Sequence, residues 1–531
     1  MASSYVVFSG GSACNHILDG FHKTAAHDVS YILGISDNGG STSELLRVLG
    51  GPSVGDLRSR LIRLMDTLDK TCNTIEMKAI KDLLSYRLPA DKSHQKVRDE
   101  WALIVEGRHS LWNDISVEKR EAIRGFLTLF DFEILKRAHK RFNFCNGSIG
   151  NFFLTGARLF TGSLEAAIFL FASITGITSV PTSVVPVINS NQTVTIAASL
   201  MDGETLVGQC EISHPSPAVK QQRKNGSGGM ATTTPRKKRT NPIDAFSCLE
   251  DPFSALSMTS STNQYHTTTQ FIDHDNNNEN ANLFFSKHAE EKLTSPIDRI
   301  YYINEYGQEI YPVPNPKVVS QLSFKQTLVY SIGSLYTSLI PCLILRGVGN
   351  AVAQSQSLKH KILLLNGTND RETSDYTALD FINAITSALN QSQRIDARRA
   401  FYQSCDDDEE EEDDEEDDEE YIPGYSASSR TSSITTINTP PSSYTMAVGS
   451  MPASPSHRYP PFPSNSFYPS PISAFITHMV YLDNSAISVD VQAIERLGIK
   501  CVCMKGSLSK LGEPIYHQSH FTETIEQIVN N

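Results

Sequence analysis

A short glycine-containing loop near the start of the chain carries side chains that could take part in chemistry. Asp37 follows an apolar run over residues 29–35, and this run predicts a buried strand. The small and polar residues after it lead into a helical pattern and are expected to contact a ligand: Asn38, Gly39, Gly40, Ser41 and Thr42. Strand, loop and helix in this order direct backbone N–H groups at an anion. The alternative is an ordinary tight turn with an N-cap.

A second polar segment, which begins at Gly55, adds a carboxylate and a guanidinium to the same region. Arg58 is suited to bidentate binding of a phosphate, and a surface pair with Asp56 is the alternative. Magnesium is usually held by one or two carboxylates together with substrate phosphates. We therefore expect Asp37 to be a Mg²⁺ ligand and, if the protein is an enzyme, Asp37 and Asp56 to be its catalytic residues. Gly55 and Arg58 join the expected ligand contacts.

Small residues also follow three further apolar runs or open a helix. The runs at 5–8, 328–332 and 361–365 predict strands, and an α-helix is expected to start near Asn15. The residues of these segments expected to contact a ligand are Gly10, Gly11, Ser12, Asn15, Asn146, Ser148, Asn151, Gly333, Ser334, Tyr336, Asn366 and Thr368. For the segment that opens a helix at 146–151, the alternative is a close helix crossing that requires small residues. For the Tyr336 ring, packing in the core is as good an explanation as stacking on a base.

Strands that alternate with helices predict an α/β fold, a Rossmann-like three-layer architecture around a mostly parallel sheet. A charged, mostly helical stretch at 57–144 is expected as an insertion into it. Alternating apolar residues at 181–212, with the hairpin sequence Asp202-Gly203, predict a small β-subdomain. Since parallel strands end at one edge of their sheet, the small-residue loops should converge there.

Two segments break this pattern and predict disordered insertions. Residues 216–295 are rich in Ser, Thr, Asn, Pro and Gln, and residues 396–470 hold an acidic block followed by Ser/Pro-rich sequence. The α/β domain is therefore expected to consist of residues 1–215, 296–395 and 471–531.

Charge and cysteine content weigh against several classes of protein. The net charge is −13, but residues 406–420 are fifteen consecutive acids, and without them the charge is +2, which gives nucleic-acid binding no support. No C-x-x-C spacing occurs, so neither a zinc site nor a disulfide framework is indicated. There is no secretory signal, and the apolar stretch at 166–177 is too short to span a membrane. We expect a cytoplasmic protein. Nuclear import through Arg236–Arg239 is less favoured than a chance basic cluster in a solvated loop.

Several of these segments resemble the CofD/YvcK family. The Asp37 loop and the segment from Gly55 are similar to the family's Asp-Asp-Gly-Gly-Ser-Ser-Gly loop and Gly-Asp-Ile-Arg segment, with Asn38 in place of the second acid. Gly147 stands where a similar family segment has histidine. Residues 333–341 resemble a motif of the YvcK branch, and residues further on, Glu372-Thr373-Ser374-Asp375-Tyr376-Thr377, are similar to the family's Glu-Thr-x-Gly-Tyr-Thr.

This resemblance implies that the ligand is a nucleotide diphosphate or a nucleotide sugar. The YvcK branch, which residues 333–341 favour, is tied to central carbon metabolism and binds UDP-sugars. The CofD branch implies instead an enzyme that moves a phospholactyl group from a nucleotide-activated donor to an acceptor with Mg²⁺. A scaffold that acts through its disordered segments is a third alternative, and a homodimer is left open.

Overall fold

The computed structural model describes residues 3–22, 28–67, 75–137, 139–179, 181–214, 292–412, 462–463 and 465–530. Most of the predicted insertion at 216–295, with Arg236–Arg239, lies outside the described residues, as does much of the insertion at 396–470.

The described strands are, in chain order, β1 (Ser4–Ser9), β2 (Asp28–Leu33), β3 (Thr182–Pro186), β4 (Thr195–Leu200), β5 (Thr205–Val207), β6 (Ile297–Ile303), β7 (Glu309–Ile310), β8 (Thr327–Tyr330), β9 (His360–Leu364), β10 (His478–Leu482), β11 (Lys500–Met504), β12 (Gly506–Leu508) and β13 (Pro514–Tyr516). The described helices are α1 (Gly40–Leu49), α2 (Gly55–Leu64), α3 (Ile75–Ser85), α4 (His94–Val105), α5 (Val117–Leu135), α6 (Ile149–Thr161), α7 (Leu164–Ile174), α8 (Gln209–Ser213), α9 (Pro316–Phe324), α10 (Ile340–Leu343), α11 (Val348–Gln354), α12 (Ala378–Glu412), α13 (Ile472–Phe475), α14 (Val491–Arg496) and α15 (Gln518–Asn530).

Seven strands form the main sheet, in the order β11-β10-β9-β8-β1-β2-β3, and every pair is parallel. The central strands are fully buried, as Val6 and Val7 in β1 show, because helices cover both faces. This sheet confirms the predicted α/β class. The chain leaves β1 toward β2 on one side and returns at β8 on the other, so the order of the strands reverses between β1 and β8. In open α/β sheets such a switch point is where ligands bind.

A smaller antiparallel sheet, ordered β5-β4-β6-β7, differs in composition from the predicted β-subdomain at 181–212. Strand β3 lies within that range, but it pairs in parallel with β2 and forms an edge of the main sheet. Strands β6 and β7 come from the 296–395 segment, yet they belong to the small sheet. An alternating pattern shows that a strand has one buried face, and it carries no information about which sheet the strand joins.

The segment after β1 is not the α-helix expected from Asn15. Two short 3₁₀ helices, Ala13–His16 and Leu18–Phe21, take its place. The second packs against α15 so closely that a Cβ on Gly20 would lie 2.5 Å from a ring carbon of Phe521. The apolar spacing alone suggested a regular helix. The non-helical dihedrals at Ile17 (φ −106°, ψ 3°) interrupt it, and the tight packing at Gly20 leaves this segment close against α15.

The region 57–144 is helical as predicted, with α2 to α5 in chain order. Its packing centres on aromatic rings: Trp101 lies 5.2 Å from Phe152 and 5.9 Å from Phe130, measured between ring centroids. Phe152 belongs to α6, so this aromatic cluster packs the first turn of α6 against α4 and α5. Aromatic pairs of this kind add stability beyond the area they bury.

The chain divides into two units, one of residues 1–393 and 469–531 and the other of residues 394–468. The first unit contains the main sheet, the smaller antiparallel sheet and the two-stranded sheet of β12 and β13. Residues 396–412 were predicted as part of a disordered insertion, but they are helical and form the end of α12. Among the described residues, no single helix combines the length and apolarity needed to cross a membrane. The bent pair Leu335–Leu343 and Val348–Gln354 meets those two criteria only when taken together.

Candidate functional site

A cleft of about 530 Å³ opens at the carboxyl ends of the central strands, at the switch point between β1 and β8. We call it the central cleft. The structure brings together in it nine of the residues predicted from sequence: Gly10, Gly11, Ser12, Asp37, Asp56, Gly333, Ser334, Asn366 and Thr368. They come from the ends of β1, β2, β8 and β9 and from the first turn of α2. Their convergence follows from the parallel sheet, in which these strands all end at one edge.

Two half-buried carboxylates, those of Asp37 and Asp56, line this cleft. Asp37 lies just beyond β2, and its Oδ1 accepts a hydrogen bond of 2.8 Å from the Gly39 N–H. Burial raises the pKa of Asp37. Burial and the nearby charge of Asp37 together raise the pKa of Asp56 to about 7. Two such groups cannot both be ionised at low cost in a poorly solvated site, so the pair favours either a shared proton or a bound cation.

The glycine corner after β1 has no room for side chains. A Cβ on Gly11 would lie 2.0 Å from Oδ1 of Asp56, and a Cβ on Gly10 would lie 2.7 Å from Oγ of Ser338. The Gly11 N–H also donates a hydrogen bond to Asp56. The backbone of this corner therefore holds the Asp56 carboxylate in place and lets a ligand approach the main chain closely.

The corner after β8 is occupied by groups of the protein itself. Gly333, at φ 141°, donates its N–H to Oδ1 of Asn366, and the Asn366 amide donates in return to the Gly333 carbonyl. The N–H groups of Tyr336 and Thr337 both donate to Oε2 of Glu372, at 2.9 and 3.1 Å. A carboxylate thus fills the anion cradle that the sequence suggested for a ligand.

The Tyr336 side chain does not line the central cleft. It is buried, and its hydroxyl lies 2.8 Å from the Tyr376 hydroxyl beside a different pocket, so the core-packing alternative describes it better.

The remaining predicted residues lie outside the central cleft: Asn15, Asn38, Gly39, Gly40, Ser41, Thr42, Gly55, Arg58, Asn146, Ser148 and Asn151. Asn15 donates to Ser59 Oγ at 3.2 Å, and Oδ1 of Asn38 accepts the Cys210 N–H at 2.9 Å, which ties the loop to α8. Arg58 does not line the cleft, and its Nε donates to Oδ1 of Asn151 at 3.2 Å. Helix α2 presents Asp56 but not Arg58 to the cleft, which the sequence pattern alone did not show.

Among the lining residues that were missed as site residues, three charged ones follow β9: Asp370, Arg371 and Glu372. Burial and the charge of Asp370 raise the pKa of Glu372 to about 7. Arg371 is anchored through a 3.2 Å hydrogen bond from its Nε to the Ile212 carbonyl. The signal for them was their position just after β9, at the same sheet edge as Asn366.

Fold and cleft together define an α/β protein with a ligand site at the switch point of a parallel sheet. A family model described as 2-phospho-L-lactate transferase CofD matches residues 5–438. The chain therefore belongs to the CofD family, in agreement with the resemblance of its loop motifs.

A relative supports this assignment, and a solved structure shares the fold. An uncharacterized protein of Saccharomyces cerevisiae, YNL011C, is 38% identical over 393 residues, which are 73% of this chain and 83% of the yeast protein. A putative gluconeogenesis factor of Nostoc is 37% identical over 87 residues, which cover 16% of this chain and 19% of that protein. A crystal structure of a UPF0052 family member from Bacillus halodurans has a TM-score of 0.50 at 14% identity, over 99% of each chain. That structure shows that the fold is shared.

Proposed function

We propose that the protein binds a nucleotide diphosphate or a nucleotide sugar, together with Mg²⁺, in the central cleft. The observation that carries this proposal is the pair of half-buried carboxylates, Asp37 and Asp56, at the switch point beside the glycine corner of β1. A divalent cation would neutralise the pair, and a diphosphate would complete the coordination of that cation.

The donor set fits Mg²⁺ better than a metal held by protein alone. Among the described residues, no group of three or more His, Cys, Asp or Glu side chains is arranged to hold a metal ion. Asp37 would bind the metal directly, and the Gly10-Gly11-Ser12 backbone would lie against the phosphates. Magnesium supplies charge neutralisation for the phosphates when it is bound.

A second candidate is a transferase of phosphorus-containing groups. Two findings favour it: the matching family model is described as a 2-phospho-L-lactate transferase, and the pKa of Asp56 is raised to about 7. A carboxylate with such a pKa is able to accept a proton from an attacking hydroxyl near neutral pH. The relatives described as putative gluconeogenesis factors favour the first proposal, a binding protein, over the transferase.

Ligand-induced stabilisation tests the proposal. UDP-N-acetylglucosamine and GDP, each with and without Mg²⁺, should raise the melting temperature if either binds the folded state. We expect the rise to require Mg²⁺ and to be lost in Asp37→Asn. An Asp99→Asn variant, changed at an exposed aspartate outside the cleft, serves as the control and should respond like the wild type. A Mg²⁺-independent rise that survives in Asp37→Asn would contradict the proposed site. Turnover of a nucleotide donor with an acceptor would then separate the transferase from the binding protein.

A further inference from the structure

Beside the central cleft, two arginines converge on a network of neutral groups. We call Ser41, Arg58, Arg87 and Asn151 the two-arginine cluster. Arg58 donates to Oδ1 of Asn151, and Asn151 donates through Nδ2 to Oγ of Ser41 at 3.1 Å. Arg87 donates to the same Ser41 Oγ and to the Asn146 carbonyl, each at 3.2 Å. The cluster thus joins the first turns of α1, α2 and α6 to the segment after α3.

Neither guanidinium is neutralised by a hydrogen-bonded carboxylate among the described residues. Their acceptors are an amide oxygen, a hydroxyl and a main-chain carbonyl. Burial and the charge of Arg87 lower the pKa of Arg58 to about 10, although the nearby charge of Asp56 acts in the opposite direction. Arg63 and Arg299, by contrast, pair with Asp19 and Glu309. Arg60, Arg120 and Arg158 resemble the cluster in donating to neutral acceptors, but each does so singly. Arg58 is half-buried and Arg87 is exposed, so the cluster offers two positively charged side chains to an anion that arrives from solvent.

The helix N-termini around the cluster add partial positive charge to that of the two arginines. Helices α1 and α6 both begin there, and no described N-cap side chain closes either helix start. Ser148, at the N-cap of α6, is 0% exposed, and its hydroxyl has no hydrogen-bond partner among the described residues. Helix N-termini favour anions, and a buried hydroxyl without a partner is costly.

We propose that the two-arginine cluster binds a phosphate group that is separate from the phosphates in the central cleft. Asp56 and Arg58 lie two residues apart in the first turn of α2, so the two sites adjoin each other. The inference rests on the proposed function, because the ligand in the cleft defines what this phosphate accompanies. The phosphate belongs either to the far end of the same ligand or to a second, phosphorylated substrate.

Titration of the full-length protein with inorganic phosphate, at constant ionic strength in chloride, tests the cluster directly. We expect phosphate to stabilise the wild type against heat, and the dissociation constant to rise at least about tenfold in Arg87→Gln, as the loss of one charge-assisted contact implies. Asp37→Asn should keep the phosphate response, since it changes only the central cleft. Arg108→Gln is the matched control, because Arg108 is exposed and pairs with Glu106. Circular dichroism verifies that each variant is folded, and Arg87→Lys should recover part of the affinity.

Wild-type phosphate affinity in Arg87→Gln, or no phosphate binding by the wild type, would overturn the inference. A second titration in the presence of Mg²⁺ and UDP-N-acetylglucosamine identifies the source of the phosphate. Competition supports a phosphate on the same ligand, and undiminished binding supports a second substrate. If phosphate binds through Arg87 while no nucleotide stabilises the protein, the cluster stands and the proposed function fails. If nucleotides bind and Arg87→Gln leaves phosphate binding unchanged, the proposed function is supported and the two-arginine cluster is not a phosphate site.

Discussion

The loops after β2 and β8 have the same order of strand, small residues and helical start, yet their backbone N–H groups have different fates. After β8, Glu372 accepts from both the Tyr336 and Thr337 N–H groups. After β2, Asp37 accepts the Gly39 N–H, and among the described residues no N-cap side chain closes the start of α1. A strand–loop–helix sequence therefore creates donors, and the rest of the chain decides whether a ligand can reach them.

Removal of the Glu372 carboxylate leaves the N–H groups after β8 without their acceptor. We expect this change to have the largest effect on stability. In Glu372→Ala, the Tyr336 and Thr337 N–H groups and the Ser213 and Thr337 hydroxyls lose an acceptor. We expect a loss of about 3 kcal/mol in the free energy of unfolding, because buried donors without partners are costly. Glu372→Gln keeps one oxygen acceptor and should lose about 1 kcal/mol. Urea unfolding measures both, and equal stability of Glu372→Ala and the wild type would show that this corner does not need its own carboxylate.

A methyl group in the glycine corner is expected to disturb the carboxylate pair. Because a Cβ on Gly11 would lie 2.0 Å from Asp56 Oδ1, Gly11→Ala should destabilise the fold by roughly 2 kcal/mol. It should also remove any Mg²⁺-dependent nucleotide response. Gly34→Ala is the control, since a Cβ there meets no atom within 4 Å. Calorimetry of the two variants gives the comparison, and matching profiles would mean that the corner tolerates a side chain.

The raised pKa of Asp56 predicts that the stability of the fold depends on pH. Its pKa rises from 3.8 in the unfolded chain to about 7 in the fold, so between these values the folded state holds a proton that the unfolded state has released. Stability should therefore fall as pH rises through this window. At pH 8, Asp56→Asn should be more stable than the wild type by on the order of 1–2 kcal/mol, and the difference should shrink toward pH 4.

Urea unfolding at pH 5 and pH 8 measures this effect, with Asp99→Asn as the exposed control. Mg²⁺ at pH 8 should stabilise the wild type and leave Asp56→Asn unaffected. A constant difference between Asp56→Asn and the wild type at both pH values would mean that the carboxylate stays ionised throughout.

Sequence patterns predicted the central strands of the main sheet because these strands are buried on both faces and appear as continuous apolar runs. They assigned its edge strand β3 to the β-subdomain. They also predicted that Asp37 and Asp56 meet Gly11, since parallel strands end at one edge. They could not show that Glu372 caps a segment 36 positions earlier, because that contact depends on the packing of β8 against β9. Arg87 was missed for a similar reason: it lies in a charged helical region, and only the fold brings it to Ser41.

The most direct test of the account is a crystal structure of the protein with UDP-N-acetylglucosamine and Mg²⁺. We expect the metal on the Asp37 carboxylate, with Asp56 beside it, and the diphosphate against the backbone of Gly10, Gly11 and Ser12. A nucleotide bound away from the central cleft, or one in the cleft with neither aspartate near its metal or phosphates, would contradict the account.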